Sequence, residues 1–105
     1  MSDVDILQDI KIDEKISTAI NEPGKFAVIM LNDNTTPMEW VIEVLMKIFN
    51  HSQDTSEKIM LQIHTEGSSV VGIYNYEIAE QKAIEATNAS RDRGFPLQLK
   101  LEMNE

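Results

Sequence analysis

The sequence predicts a small α+β domain, a two-layer α/β sandwich in which a three-stranded sheet is covered on one face by three helices. The expected order is strand-helix-helix-strand-helix-strand. Three observations predict it. Short apolar runs at 26–31, 70–74 and 97–101 have strand character. Stretches with helical apolar spacing and recognisable start signals lie between them. The chain has 105 residues, 42% hydrophobic and 26% charged, which is one ordinary globular domain.

Each element has its own warrant. Phe26-Ala-Val-Ile-Met-Leu31 is a continuous apolar run suited to a buried strand. Asn32-Asp33-Asn34-Thr35-Thr36-Pro37 follows as a polar turn. Thr36 as N-cap, Pro37 at the first helical position and Glu39 as the third member of a capping box then start a helix. Its apolar face is Trp40, Val41, Val44, Leu45, Ile48 and Phe49, and it runs to about Asn50. Asp54 with Glu57 predicts a second helix start, with Ile59, Met60 and Ile63 inward and Gly67 as its stop. Val70–Tyr74 is the second strand. Asn75 caps a third helix, whose Ile78, Ala79, Ala83, Ala86 and Ser90 form a stripe for close packing, ended by Gly94 and Pro96. Leu97, Leu99 and Leu101 alternate with polar residues as a half-buried third strand.

Residues 1–24 read differently. Six acids face two lysines there, a net of −4, and the apolar spacing is mixed. The Glu22-Pro23-Gly24 break separates them from the body. A flexible acidic extension over 1–24 and a core domain over 25–105 are expected. MSDVDILQDI lacks a basic n-region, so no secretory leader is expected.

Composition removes several function classes. Eighteen acidic against nine basic residues give a net charge of −9, which repels phosphate backbones and anionic lipid. Neither nucleic acid nor membrane is expected as a partner. Zero cysteines remove disulfide scaffolds, thiol catalysis and cysteine zinc sites. Four scattered glycines form no phosphate loop. His51 and His64 fall on different elements, and His64 with Glu66 lacks the spacing of a zinc-binding helix. No cofactor, no metal and no enzymatic activity are expected.

Two places exceed the needs of the fold. Asn32, Asp33 and Asn34 present several acceptor oxygens beside a helix start. They read either as a turn with an N-cap or as a site for a cation, whose ammonium donors such a cluster can satisfy. His64 falls beside inward-facing Ile63 and reads equally as structural or as a ligand contact. Met38, Met60 and Leu97 serve either as core or as the lining of a cavity.

The segment Leu31-Asn-Asp-Asn-Thr-Thr-Pro-Met-Glu-Trp-Val41, with Leu45 and Phe49 after it, resembles the signature of the ClpS adaptor family, a strand leading into N-D-D-x-T-P-M-E-[FY]-V. The resemblance continues through Ile59-Met-Leu-Gln-Ile-His64, Glu66-Gly67, Gly72, Glu77-Ile-Ala-Glu-Gln-Lys82 and Pro96-Leu97, covering about residues 25–103. It implies an adaptor that binds N-degrons beginning with Leu, Phe, Tyr or Trp and passes them to a Clp-type AAA+ unfoldase, ClpA-like or ClpC-like. It implies that Asn32, Asp33 and His64, with Asn34 beside them, hold the free α-amino group. Thr36, Met38, Val41, Met60, Ile63 and Leu97 match positions that line or gate the side-chain pocket. Glu77 and Lys82 match an unfoldase-docking surface, and residues 1–24 correspond to a mobile arm active in substrate transfer. A cytoplasmic monomer is expected.

Physical chemistry agrees in kind. A charged α-amino group needs acceptors, including a neutral imidazole nitrogen, in a partly dry place. Burying a Leu or Phe side chain beneath it gains roughly 1.5–3 kcal/mol. Two departures stand out: Asn34 replaces the usual second Asp, and Trp40 replaces Phe or Tyr as either core or pocket wall. The rival readings are a ClpS-like modulator that binds the unfoldase with an empty pocket, and an interaction domain of the same architecture such as a ribosomal-stalk C-terminal domain.

Overall fold

The computed structural model describes residues 11–12 and 24–104. Its elements are β1 (Lys11–Ile12), β2 (Lys25–Leu31), α1 (Met38–Lys47), α2 (Gln53–Glu66), β3 (Ser68–Asn75), α3 (Tyr76–Asp92) and β4 (Gln98–Asn104). The expected order of three strands and three helices holds. The sheet order is β1-β4-β2-β3, with β2 antiparallel to both β3 and β4. The short β1 pairs parallel with β4 through Lys11 opposite Lys100 and Ile12 opposite Leu101. Two residues carry no strand periodicity, so this fourth strand has no sequence signal. The rest of the expected flexible extension lies outside the described residues, Gly24 excepted.

Alternation decides which face of the sheet meets the helices. Phe26, Val28 and Met30 on β2 stand beside Leu99, Leu101 and Met103 on β4, and all but the half-buried Met103 are at most 2% exposed. Trp40, Val44 and Leu45 from α1, Ile48 and Phe49 just after it, Ile63 from α2 and Ala79, Ala83 and Ala86 from α3 close over them. Each large apolar side chain fully buried in this way gains roughly 1.5–3 kcal/mol. Ile78 departs from the expected stripe: it is 38% exposed, and the small residues after it make the contact.

A bulge in β3 shapes the edge. Val28 faces Gly72 and Ile29 faces Val70, leaving Val71 as the extra residue. The Val71 carbonyl accepts a hydrogen bond from His51 Nε2 at 2.6 Å, so the imidazole satisfies a backbone group that the sheet edge leaves open.

The helix starts differ from expectation. Pro37, not Thr36, is the cap of α1, with no side-chain cap; Thr36 lies one residue earlier and donates its N–H and hydroxyl to Asp33. Ser52, not Asp54, caps α2, accepting from the Thr55 N–H at 3.2 Å. Asn75 caps α3 as expected, accepting from Ile78 N–H at 3.0 Å. α1 stops at Lys47. Beyond it Asn50 adopts φ +60°, a conformation that Asn tolerates better than most residues. Gly67 ends α2 at φ +92°, in the left-handed region that favours glycine.

Candidate functional site

Topology brings the two sequence-distant polar features together. β2 pairs antiparallel with β3, so Leu31 at the end of β2 lies opposite Ser68 at the start of β3. The pairing extends one step, with Asn32 N–H donating to the Gly67 carbonyl at 2.9 Å. Gly67 closes α2, whose last turn carries His64. The Asn32–Asn34 loop and His64 therefore stand at one end of the sheet, although 31 positions separate Asp33 from His64.

Asp33 is held rigidly. One carboxylate oxygen, Oδ1, accepts from Thr35 N–H at 2.7 Å and from Thr36 N–H at 2.6 Å. The other, Oδ2, accepts from the Thr36 hydroxyl at 2.7 Å. Partial burial works against its charge, but the hydrogen bonds from Thr36 and Thr35, helped by the positive charge of Arg91, outweigh it. The carboxyl therefore sits below its ordinary value of 3.8 and stays ionised at neutral pH. A carboxylate oxygen has two lone-pair positions, so Oδ2 keeps acceptor capacity for an incoming cation.

Beside this loop opens a cavity of about 170 Å³. Asn32, Asp33, Asn34 and His64 line its polar side. Thr36, Met38, Val41, Met60, Ile63 and Leu97 line the rest, together with Leu31. Val41, Ile63 and Leu97 are buried, whereas Met38 is 45% exposed and stands at the rim. Its size matters chemically, since an engineered apolar cavity of roughly 150 Å³ takes up benzene. The apolar lining lies beneath, and the anchored carboxylate of Asp33 stands at the same opening. All ten residues the sequence singled out for these two subsites lie around one cavity. Leu31 is the lining residue the sequence reading missed; as the last residue of an apolar strand it reads as core.

Residues 21–100 match the family model described as ATP-dependent Clp protease adaptor protein ClpS. The chain belongs to the ClpS family. It is 45% identical over 87 residues to the ATP-dependent Clp protease adapter protein ClpS of Treponema denticola, covering 83% of this chain and 86% of the relative. It is 42% identical over 94 residues to that of Wolinella succinogenes, covering 90% and 92%. The solved structure of Agrobacterium tumefaciens ClpS2 bound to L-phenylalaninamide superposes with a TM-score of 0.76 at 41% identity, covering 79% of this chain and all of the other.

Against this ClpS background, Trp40 is core rather than pocket wall. It is 9% exposed and lies outside the cavity lining. Its Nε1 donates to Ser90 Oγ at 2.8 Å, the Phe95 ring centroid is 5.9 Å away, and the Arg93 guanidinium sits 4.7 Å from its ring. Among the described residues no group of three or more His, Asp or Glu side chains is arranged to hold a metal ion.

Glu77 and Lys82 lie on α3, away from the cavity lining. Glu77 is exposed in its first turn. Lys82 is half-buried, with Nζ donating to the Ile48 carbonyl at 2.7 Å and standing 5.4 Å from the centre of the Tyr74 ring. It thus satisfies a carbonyl at the end of α1 that has no helical partner.

Proposed function

We propose that this chain is an adaptor that captures proteins by a hydrophobic N-terminal residue (Leu, Phe, Tyr or Trp) and delivers them to a Clp-type AAA+ unfoldase, ClpA-like or ClpC-like. The observation that carries the proposal is the pairing of an anchored, ionised Asp33 with an apolar cavity that shares its mouth. L-phenylalaninamide, the ligand of the 41% identical neighbour, presents that same pair of groups, a free α-amino group and a large apolar side chain. In this reading Asn32, Asp33, Asn34 and His64 receive the ammonium, and Thr36, Met38, Val41, Met60, Ile63 and Leu97 enclose the side chain. Neither half suffices alone, because burying an unpaired ammonium costs more than the apolar contact returns. Met38 and Met60 are unbranched and adapt to several large side chains.

Glu77 and the α3 surface around Lys82 dock the unfoldase, and residues 1–24 act as an arm during transfer. The adaptor carries out no catalysis of its own, works as a monomer and shares the cytoplasm with its unfoldase.

The test is fluorescence anisotropy of labelled peptides beginning with Phe or Leu, each compared with its N-acetylated form. Binding of the free forms alone, lost in Asp33→Ala and His64→Ala, is the expected result. Equal or absent binding of the free and acetylated forms overturns degron capture and leaves a modulator that engages the unfoldase through Glu77.

A further inference from the structure

Two walls of the cavity, the Leu97 segment and α1, are tied to the last turn of α3. On one side, Arg91 Nη1 donates to the Phe95 carbonyl at 3.1 Å and to the Leu97 carbonyl at 2.8 Å. Phe95 N–H in turn donates to the Ser90 carbonyl at 2.9 Å, and Gly94 N–H to the Arg91 carbonyl at 2.9 Å. The segment that ends in Leu97 is thereby strapped to the helix it leaves, although Pro96 within it has no N–H to offer. On the other side, α1 carries Met38 and Val41, and Trp40 between them is fastened to Ser90 by the indole N–H. The span between Leu97 and α1 is therefore fixed at one place, Ser90 and Arg91, neither of which lines the cavity.

We propose that Arg91 is a positioning residue that sets the width of the side-chain pocket, and with it which first residues the pocket accepts. The inference rests on the degron-binding reading above and extends it to specificity. A guanidinium suits the task because its donors are planar and rigidly spaced, so that each hydrogen bond formed fixes the segment with little loss of freedom. A lysine would offer a point charge on a flexible stem. Leu97 is 1% exposed and in contact with the core, so a shift of its backbone changes the room beside it rather than being absorbed by solvent. A tightly held wall discriminates by shape, and β-branched side chains, stiff at χ1, feel it most.

The test measures competition binding of three peptides that differ only in their first residue, Phe, Leu or Ile, to the wild-type chain, Arg91→Lys and Arg91→Gln. Failure of the wild-type chain to bind the Phe peptide would refute degron binding itself. With wild-type binding in place, the quantity that decides is the ratio of the Phe and Ile affinities. Partial unfolding scales both affinities alike and cancels in that ratio. The expected result is a ratio that narrows about tenfold in both variants, the scale on which apolar pockets distinguish one methylene. An unchanged ratio, even with weaker binding overall, overturns the proposal. Should neither of these variants bind either peptide, Arg91→Met, which keeps an unbranched apolar stem but neither donor, decides by the same ratio.

Discussion

Thr36 donates both its backbone N–H and its hydroxyl to the carboxylate of Asp33, at 2.6 and 2.7 Å. The double contact fixes the Asp33 side chain at the cavity mouth. Thr36→Val removes the hydroxyl and leaves the backbone bond. Peptide binding should weaken by on the order of 1 kcal/mol, the scale of one hydrogen bond to a partly exposed charged group. Anisotropy with a Phe-initiated peptide reads this directly, and an unchanged affinity would mean that the backbone donors alone position Asp33.

The depressed Asp33 carboxyl sets a pH dependence with a definite sign. Its folded-state value lies below the ordinary 3.8. Its contribution to stability is therefore complete above that value and is lost as pH falls through the lower folded-state value. Asp33→Asn should flatten that part of the stability curve. Thermal unfolding followed from about pH 5 downward should show the two proteins converging as Asp33 becomes protonated. A gap that stays constant with pH would show that Asp33 contributes nothing through its charge.

Asn34 offers a gain-of-affinity test. Restoring the acid with Asn34→Asp places a second carboxylate in the loop beside Asp33. Binding of a free-amine peptide should tighten by up to about 1 kcal/mol at low salt, and the gain should shrink as ionic strength rises. An Asp variant that binds no tighter at low salt would remove position 34 from ammonium recognition.

Lys82 has structural work apart from any docking role. Lys82→Met loses the hydrogen bond to the Ile48 carbonyl and the contact with the Tyr74 ring. A loss of roughly 1–2 kcal/mol is expected, seen as a fall in Tm of several degrees for a domain of this size. An unchanged Tm would refute it. Glu77→Lys is accordingly the cleaner probe of unfoldase docking, since Glu77 is exposed on the first turn of α3.

Gly72 underlies the same region. A side chain there would collide with the Tyr74 hydroxyl and ring, which lie across the glycine. Gly72→Ala should displace Tyr74 from Lys82 and cost about 1–3 kcal/mol, as overpacking does. Chemical denaturation measures the cost, and a neutral substitution would mean that the tyrosine swings clear freely.

Much of this protein was legible in its residues because the relevant signals are local. Short apolar runs and, in the last strand, period-2 alternation placed the three long strands, period-3.6 spacing placed the three helices, Asn75 and Gly67 marked helix ends, and the loop chemistry around Asp33 stood out. Even so, Thr36 was misread as a helix cap. The same hydroxyl can accept from a backbone N–H as a cap or donate to a neighbouring carboxylate, and only the folded loop shows which partner it meets. Ser52 was passed over for Asp54 for a similar reason, since both residue types cap well. The two-residue β1 had no pattern to find.

The sequence alone determined the fold class, the net charge of −9, and the residue types whose chemistry suits an ammonium and an apolar side chain. The tertiary structure decided that those residues share one cavity, that Trp40 braces a wall instead of forming one, and that Arg91 and Ser90 hold two of its walls from outside. The reason is physical. A residue's propensities belong to its own few neighbours, whereas the room left between Leu97 and α1 depends on hydrogen bonds such as Trp40 to Ser90, fifty positions apart, that exist only once the sheet has closed under the helices.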